Sequence, residues 1–590
     1  MLKSFIGLAW FGRLALSAAL AVSAGCAEAQ RTPGAGAPPG SAPKSTPKSS
    51  PQSAEAQSSA QSELTEPTLY EFLLGEIALQ RGDTGLAAQT YFDLAKRTRD
   101  PRIARRAVEV ANQARMPDLA LQAAKLWQEI DPGSPQALQV VTALLVATKH
   151  VDEAEPYLVK LLQADGVNVE NGFMQMNRLL AGNPDKAANL RVVRNLAARY
   201  PDLAQAHFAV AQAAALAGDD AAALEAIRRA EAIRPEWETP VIFEAQMLQK
   251  RSNAEAAKRL GDYIEKYPAA REARINYARV LVLDKRFPEA RKQFEALLAA
   301  SPGNPDVIYA VGLLAFQLKD YPVAEENMKK LLGMKYRDPN GVRYVLGQIA
   351  EEQKRWPEAI KWYDSIKEGE QVVPARVRTA GAMAKQGKVD EARAFLQKVS
   401  TDNPDDRVQL TVAEAQLLRD ANRSRDAYDI LGQALKDDPE QPELLYDYAL
   451  TAEKLERYDV LETNLRKLME VRPDHAHAYN ALGYSFAERN TRLPEARKLI
   501  EKALELAPDD YFIIDSMGWV LYRQGDLKGA ADQLRHAYLG RPDAEIAAHL
   551  GEVLWVMGQR DEADRIWQES LKASPENETL QNTIKRLKKK

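Results

Sequence analysis

Six histidines, one cysteine and many adjacent carboxylates are the groups in this chain whose chemistry could be put to catalytic use. The histidines are His150, His207, His475, His477, His536 and His549, and the one close pair is His475 with His477 in "DHAHAY". Two imidazoles at this spacing at a helix start could share a metal ion. The polarity that turns and helix starts require is the favoured account of them, and no metal or cofactor is expected. Acid pairs such as Asp509 with Asp510, or Glu351 with Glu352, are the usual composition of solvated helix faces. The chain has no Gly-rich phosphate loop after a strand, no GxSxG and no HExxH. Its single cysteine, Cys26, can form neither an intramolecular disulfide nor a thiolate metal cluster. The residues predict a protein that is not an enzyme and takes no small-molecule substrate.

The elements that hold these residues are helical by composition. The 590 residues are 45% hydrophobic, 27% charged and only 7% aromatic, with a net charge of −4. That balance suits a helical protein and lacks the basic surplus that phosphate-backbone binding needs, so nucleic acid is not an expected partner. The basic run "KRLKKK" at 585–590 reads as a solvated helix end.

At the N-terminus, Lys3 and Arg13 flank a charged start, "LALSAALAV" from Leu14 to Val22 is a short apolar core, and "SAGC" follows. This is a secretory signal pattern, too short to span a membrane, and it assigns residues 1–25 to a signal peptide. "SAGC" resembles the bacterial lipobox, with Ser23 where Leu is usual, and the resemblance implies lipidation of Cys26. More than one acyl chain on that cysteine is enough for stable anchoring. Ala27 rather than Asp after it implies an outer-membrane lipoprotein facing the periplasm of a Gram-negative bacterium. The alternative is cleavage after Ala29 in "AEA", which discards Cys26 and gives a soluble periplasmic protein. Residues 26–67 then form a Pro/Ser/Ala-rich linker with hardly any large apolar residue, unable to offset its ordering entropy. As a flexible coil it spans roughly 35 Å.

Beyond residue 67 the chain repeats. A small residue after a polar turn recurs at Ala87, Ala120, Ala154, Ala188, Ala223, Ala256, Ala290, Ala324, Ala359, Ala392, Ala427, Leu461, Ala496, Ala530 and Ala563, always at intervals of 33, 34 or 35. Ten prolines, from Pro132 to Pro575, fall twelve residues after their markers and are read as ending the second helix of each unit. Gly75, Gly312, Gly347, Gly483, Gly518 and Gly551 fall twelve or thirteen before, where a side chain would hold two helices apart. These series place a stacked array of helix pairs over 68–575, with weaker repeats over 68–250 and clear ones over 251–575. Residues 576–590 are read as a basic capping helix.

The pattern resembles the tetratricopeptide repeat family. It is met in Ile514, Met517, Gly518, Leu521, Ala530, Leu534, Ala537 and Pro542, and again in Tyr479, Leu482, Gly483, Phe486, Ala496, Ile500, Ala503 and Pro508. The resemblance implies an all-α solenoid, a right-handed superhelix of about fifteen helix pairs. The closing stretch, from "YNALGYSFAERN" to "RDEADRIW", resembles the long outer-membrane tetratricopeptide lipoproteins of Gram-negative bacteria. Some of these act as adaptors, binding a periplasmic carboxyl-terminal processing protease and bringing it protein substrates such as peptidoglycan hydrolases. The alternative class is a structural lipoprotein of an envelope machine for exopolysaccharide secretion or pilus assembly.

Asp515, Trp519 and Tyr522 repeat the core spacing rotated by one residue, about 100° around the helix. In the family this second stripe lines the inner groove. The same offset in other units adds Tyr309, Phe316, Tyr344, Asn480, Tyr484, Glu552 and Trp555 as candidate protein-binding residues. Aromatic rings beside Asn, Asp and Glu suit protein recognition, since rings give contact area at small entropic cost. The alternative, balanced evenly for Trp519, is packing against the next unit.

Overall fold

Each repeat folds for local reasons visible at "RQGDLKGA". The helix Tyr511–Arg523 ends as Gly525 takes a φ of +89°, which lets the Asp526 amide return a hydrogen bond of 3.0 Å to the Leu521 carbonyl. Asp526 then caps the helix Leu527–Gly540, its carboxylate accepting from the Gly529 amide at 2.9 Å. Three residues thus stop one helix, turn the chain and start the next.

The computed structural model describes residues 65–164 and 168–589. Cys26, the signal segment and nearly all of the linker lie outside the described residues. Among those described, 31 α-helices from Glu66–Gln80 to Glu578–Lys588 make an α-solenoid without strands: fifteen helix pairs and a closing helix. The first helix starts at Glu66, with Pro67 in its first turn, so the array begins two residues earlier than the linker boundary predicted from composition. No helix among the described residues is long and apolar enough to cross a membrane.

The three periodic series have distinct physical meanings. All fifteen markers sit in the second element of their pair and are at most 3% exposed. The glycines oppose them: a Cβ on Gly483 would lie 2.9 Å from the Ala496 carbonyl oxygen, and one on Gly518 would lie 3.2 Å from that of Ala530. Each glycine also makes room for the side chain four residues after the marker: Tyr91 over Gly75, Met328 over Gly312, Tyr363 over Gly347, Ile500 over Gly483, Leu534 over Gly518 and Trp567 over Gly551. Nine of the ten prolines lie two residues beyond a second helix, as at Pro542 after Gly540. Pro404 is the exception. The helix Val389–Gln397 stops early, and Pro404 is the first residue of the next helix, Pro404–Asp420, where its missing N–H costs nothing.

The described residues divide into two compact units, one ending at Val307 and the other running from Ile308. In the first, one apolar core runs unbroken from Ala78 to Ile227. It is dense in alanine, with Ala87, Ala104, Ala107 and Ala120 fully buried. Close helix approach there comes from alanine methyls, so the pairs form although their Gly and Pro markers are often missing. In the second unit a continuous core runs from Leu445 to Leu587, and the helix Glu578–Lys588 closes it by burying Leu580 and Leu587.

Candidate protein-binding site

The helix Tyr511–Arg523 starts at Asp510, whose carboxylate accepts from the Phe512 amide at 2.9 Å. From that start its core row (Ile514, Met517, Leu521) turns toward its own pair, and Asp515, Trp519 and Tyr522 turn toward neighbouring repeats. Asp515 is 0% exposed, and both its carboxylate oxygens lie 3.0 Å from Nδ1 of His549, one repeat onward. The opposite nitrogen of that imidazole, Nε2, is 3.4 Å from the Tyr484 hydroxyl, one repeat back from Asp515. The Trp519 ring stacks on the imidazole at 4.2 Å between centroids and 23° between planes. Its indole N–H donates to Glu488 at 2.8 Å. Tyr522 donates to Glu552 at 3.2 Å, and Glu552 also accepts from Arg586 of the closing helix.

The stripe therefore runs from repeat to repeat, a polar and aromatic seam joining three successive first helices and the closing one. Arg523 extends it, donating to the Ala487 and Glu488 carbonyls at 3.0 and 2.7 Å and satisfying the end of the helix Ala476–Glu488.

For Trp519 the even balance between groove and packing resolves toward packing: the ring is 5% exposed. Asp515, Glu552, Asn480, Tyr309, Phe316 and Tyr344 are likewise buried in the chain alone. Tyr309 stacks on Tyr336 at 5.4 Å, and Tyr344 lies against Tyr363 at the same distance. Tyr484, Tyr522 and Trp555 are half-buried, Trp555 beside Trp567 with Arg560 over its ring at 5.0 Å. The structure brings Asn480, Tyr484, Asp515, Trp519, Tyr522, Glu552 and Trp555 into one set of consecutive helices; Tyr309, Phe316 and Tyr344 belong to earlier repeats. The rings pack because side chains of the neighbouring first helix lie against them, as His549 lies on Trp519.

His549, Glu488 and Arg586 belong to the seam but were not singled out from the sequence. His549 stands three residues before Glu552 and Glu488 four after Tyr484. One further helical step along the same stripe reaches each of them. Arg586 carried no signal beyond its place in a basic tail. His475, of the suspected metal pair, caps its helix instead: its Nδ1 accepts from the Ala478 amide at 3.1 Å.

Electrostatics at the seam are set by burial. Desolvation alone would depress His549, but the adjoining Asp515 carboxylate outweighs it and holds the imidazole above its ordinary value. Tyr484 is pushed well up by burial and by the surrounding carboxylates, Glu488 and Asp515 foremost. The Asp515–His549 arrangement matches the carboxylate–imidazole half of a general base. Here its outer nitrogen faces a tyrosine hydroxyl beneath a tryptophan ring, so what it does in the folded chain is hold repeats in register and carry a pH-dependent charge.

Comparison with known proteins agrees with the repeat geometry. Tetratricopeptide repeat profiles match residues 248–305, 309–372, 412–460 and 462–511, with a further one over 375–406. The TPR repeat-containing protein PA4667 of Pseudomonas aeruginosa is 33% identical over 490 residues, covering 83% of this chain and 82% of its own. The chain belongs to the tetratricopeptide repeat family, whose members bind protein partners. Cellulose synthase operon protein C of Pseudomonas fluorescens is 23% identical over 82% of this chain, which spans 36% of that longer protein. Among solved structures, yeast Tom70 is 14% identical, covering 89% of this chain and 96% of its own, with a TM-score of 0.34.

Two predictions follow from the seam. Trp519→Ala deletes a packed ring and should cost about 3–5 kcal/mol, read as a lowered urea midpoint for the C-terminal repeats; an unchanged midpoint would mean the ring is not core. The raised His549 value means its stabilisation is complete below the unfolded histidine value of about 6.5 and is lost as pH rises through the folded one. The melting-temperature difference between wild type and His549→Gln should be largest at acidic pH and shrink on going alkaline.

Proposed function

We propose that this chain is a non-catalytic, lipid-tethered adaptor in the periplasm, which binds a carboxyl-terminal processing protease and presents to it protein substrates such as peptidoglycan hydrolases. The observation that carries a partner-docking role is the first helix, Glu66–Gln80. One face packs on its own repeat through Gly75 and Ala78, while Leu69, Tyr70, Leu73 and Ile77 on the other are 43%, 68%, 49% and 46% exposed. Contiguous exposed apolar side chains on one helix face mark protein interaction surfaces, and their three- and four-residue spacing suits helix-on-helix docking. The half-buried edges of Tyr484, Tyr522 and Trp555, with the exposed Glu488, support a second surface at the other end of the array for substrates. An adaptor needs two such places.

The outer-membrane location rests on the lipobox-like "SAGC" ahead of a linker that lets the repeats stand off the bilayer. One specific observation favours a second reading, a structural component of a polysaccharide-secretion machine: the similarity to a protein named for a cellulose synthase operon.

Affinity capture with the lipidated full chain separates the two. Capture of a carboxyl-terminal processing protease and cell-wall hydrolases is expected, with protease capture lost in Tyr70→Glu/Leu73→Glu at unchanged helicity; recovery of an outer-membrane secretion channel without protease would sink the adaptor reading. Cys26→Ser should move the protein from the membrane to the soluble fraction, and retention in the membrane would point to another anchor.

A further inference from the structure

The two faces of the helix Glu66–Gln80 meet different surroundings. Gly75 and Ala78 are buried against the helix's own pair, Gly75 making room for the Tyr91 ring. On the opposite side lie Glu66, Tyr70, Leu73, Ile77 and Gln80, spaced alternately four and three residues apart. That alternation is the seam spacing by which one helix lies along another. The seam is polar at its ends and hydrocarbon in its middle, where Leu69 widens it, and each of these residues is exposed. Of the exposed large apolar side chains among the described residues, five (Leu69, Tyr70, Phe72, Leu73 and Ile77) are on this helix, and no other helix carries more than one. The rest of the array thus has no comparable uncovered stripe.

The seam is also complementary to itself. Glu66 stands at one end and Arg81 just past the other; both are exposed, and neither is in an ion pair among the described residues. In a second copy laid antiparallel, Glu66 comes level with the partner's Arg81, Tyr70 comes level with the partner's Ile77, and the two copies of Leu73 meet near the centre. Each helix N-terminus then lies beside the other's C-terminus, which the two dipoles favour. A parallel copy would set Glu66 against the partner's Glu66 and align the dipoles, and both effects oppose it.

We infer that this face pairs two copies of the chain through their first helices, antiparallel about a two-fold axis near Leu73, when no other partner occupies it. With such an axis one patch serves both copies, so every favourable contact is made twice. The patch is small, one helix of 15 residues on each side, and the dimer it makes is weak, with a Kd on the order of micromolar. Weakness suits a face that the adaptor reading gives to the protease. Pairing covers the hydrocarbon until the protease displaces it, and one chain cannot hold both at once. The pairing itself does not depend on that reading.

Sedimentation equilibrium of the full chain without protease tests this, with Cys26→Ser to remove acylation as a cause of association. The mass should rise from one chain to two between about 1 and about 200 µM. In that background Tyr70→Glu/Leu73→Glu should stay at one chain throughout, with unchanged helicity. A parent chain that stays single at the highest concentration, or a folded double variant that still pairs, would overturn the inference. Glu66→Arg and Arg81→Glu should each weaken pairing severalfold and together restore it; single changes without effect, or a combination no better than either, would rule out the antiparallel arrangement. Should Tyr70→Glu/Leu73→Glu not fold, the charge exchange decides. Protease capture is read separately: a single chain that captures protease defeats only this inference, and a pair that captures none defeats only the adaptor reading.

Discussion

Everything in this array depends on how closely two antiparallel backbones approach within each repeat. A small buried residue in the first turn of the second helix keeps that helix close to the first, and at Gly483 and Gly518 even a methyl would crowd the marker's carbonyl. Leu461 is the one marker larger than alanine, and it too is fully buried. With that distance fixed, the larger residues on either side (Met517, Leu521 and Leu534 in one repeat) fill the pair, and the outward rows meet the next pair at a constant offset. The period of 33 to 35 residues is the sequence record of that spacing.

On this regular frame the differences between stretches become informative. The first unit holds its helices together with alanine in quantity, from Ala87 to Ala226, and needs few of the marker residues that make a repeat easy to see. The last repeats use the large side chains of Phe486, Trp519 and Trp567, tied by the Asp515–His549 pair and the Glu552 bonds. Between these, from Tyr344 to Leu444, smaller apolar cores that include Ala375, Leu410 and Leu444 of the following pair are accompanied by arginine–carboxylate pairs such as Arg393–Glu414.

The two surfaces that could meet a protein partner are unlike in kind. The face of Glu66–Gln80 is simple hydrocarbon left uncovered at the end of a stack, where no earlier repeat among the described residues lies against it. The C-terminal stripe is instead mostly spent on holding repeats together, and what it leaves to a partner is the rim of three rings and a few charged groups. A stripe position in a repeat protein thus serves cohesion first and recognition with the remainder. This is why aromatic residues there do not by themselves mark a binding site.

The sequence by itself determined the helical class, the number of pairs, the phase of the repeat and the small residues at the crossing points, because each of these is written in local periodicity and in residues with one backbone use. The cap at Asp510 is a local feature too, although the acid pair it forms with Asp509 is read above as part of a solvated face. Tertiary structure alone decided which way the second stripe faces: Trp519 and Asp515 could as well have lined an open groove, and only the placement of His549 and Glu488, 30 and 31 residues from Trp519 in the chain, closed them in. It also decided that Pro404 opens a helix instead of closing one, since a second helix that stops short moves every later residue to a new role. Periodicity fixes what lies on one face of a helix; what covers that face is a contact between repeats, and that contact depends on side-chain sizes in two places at once.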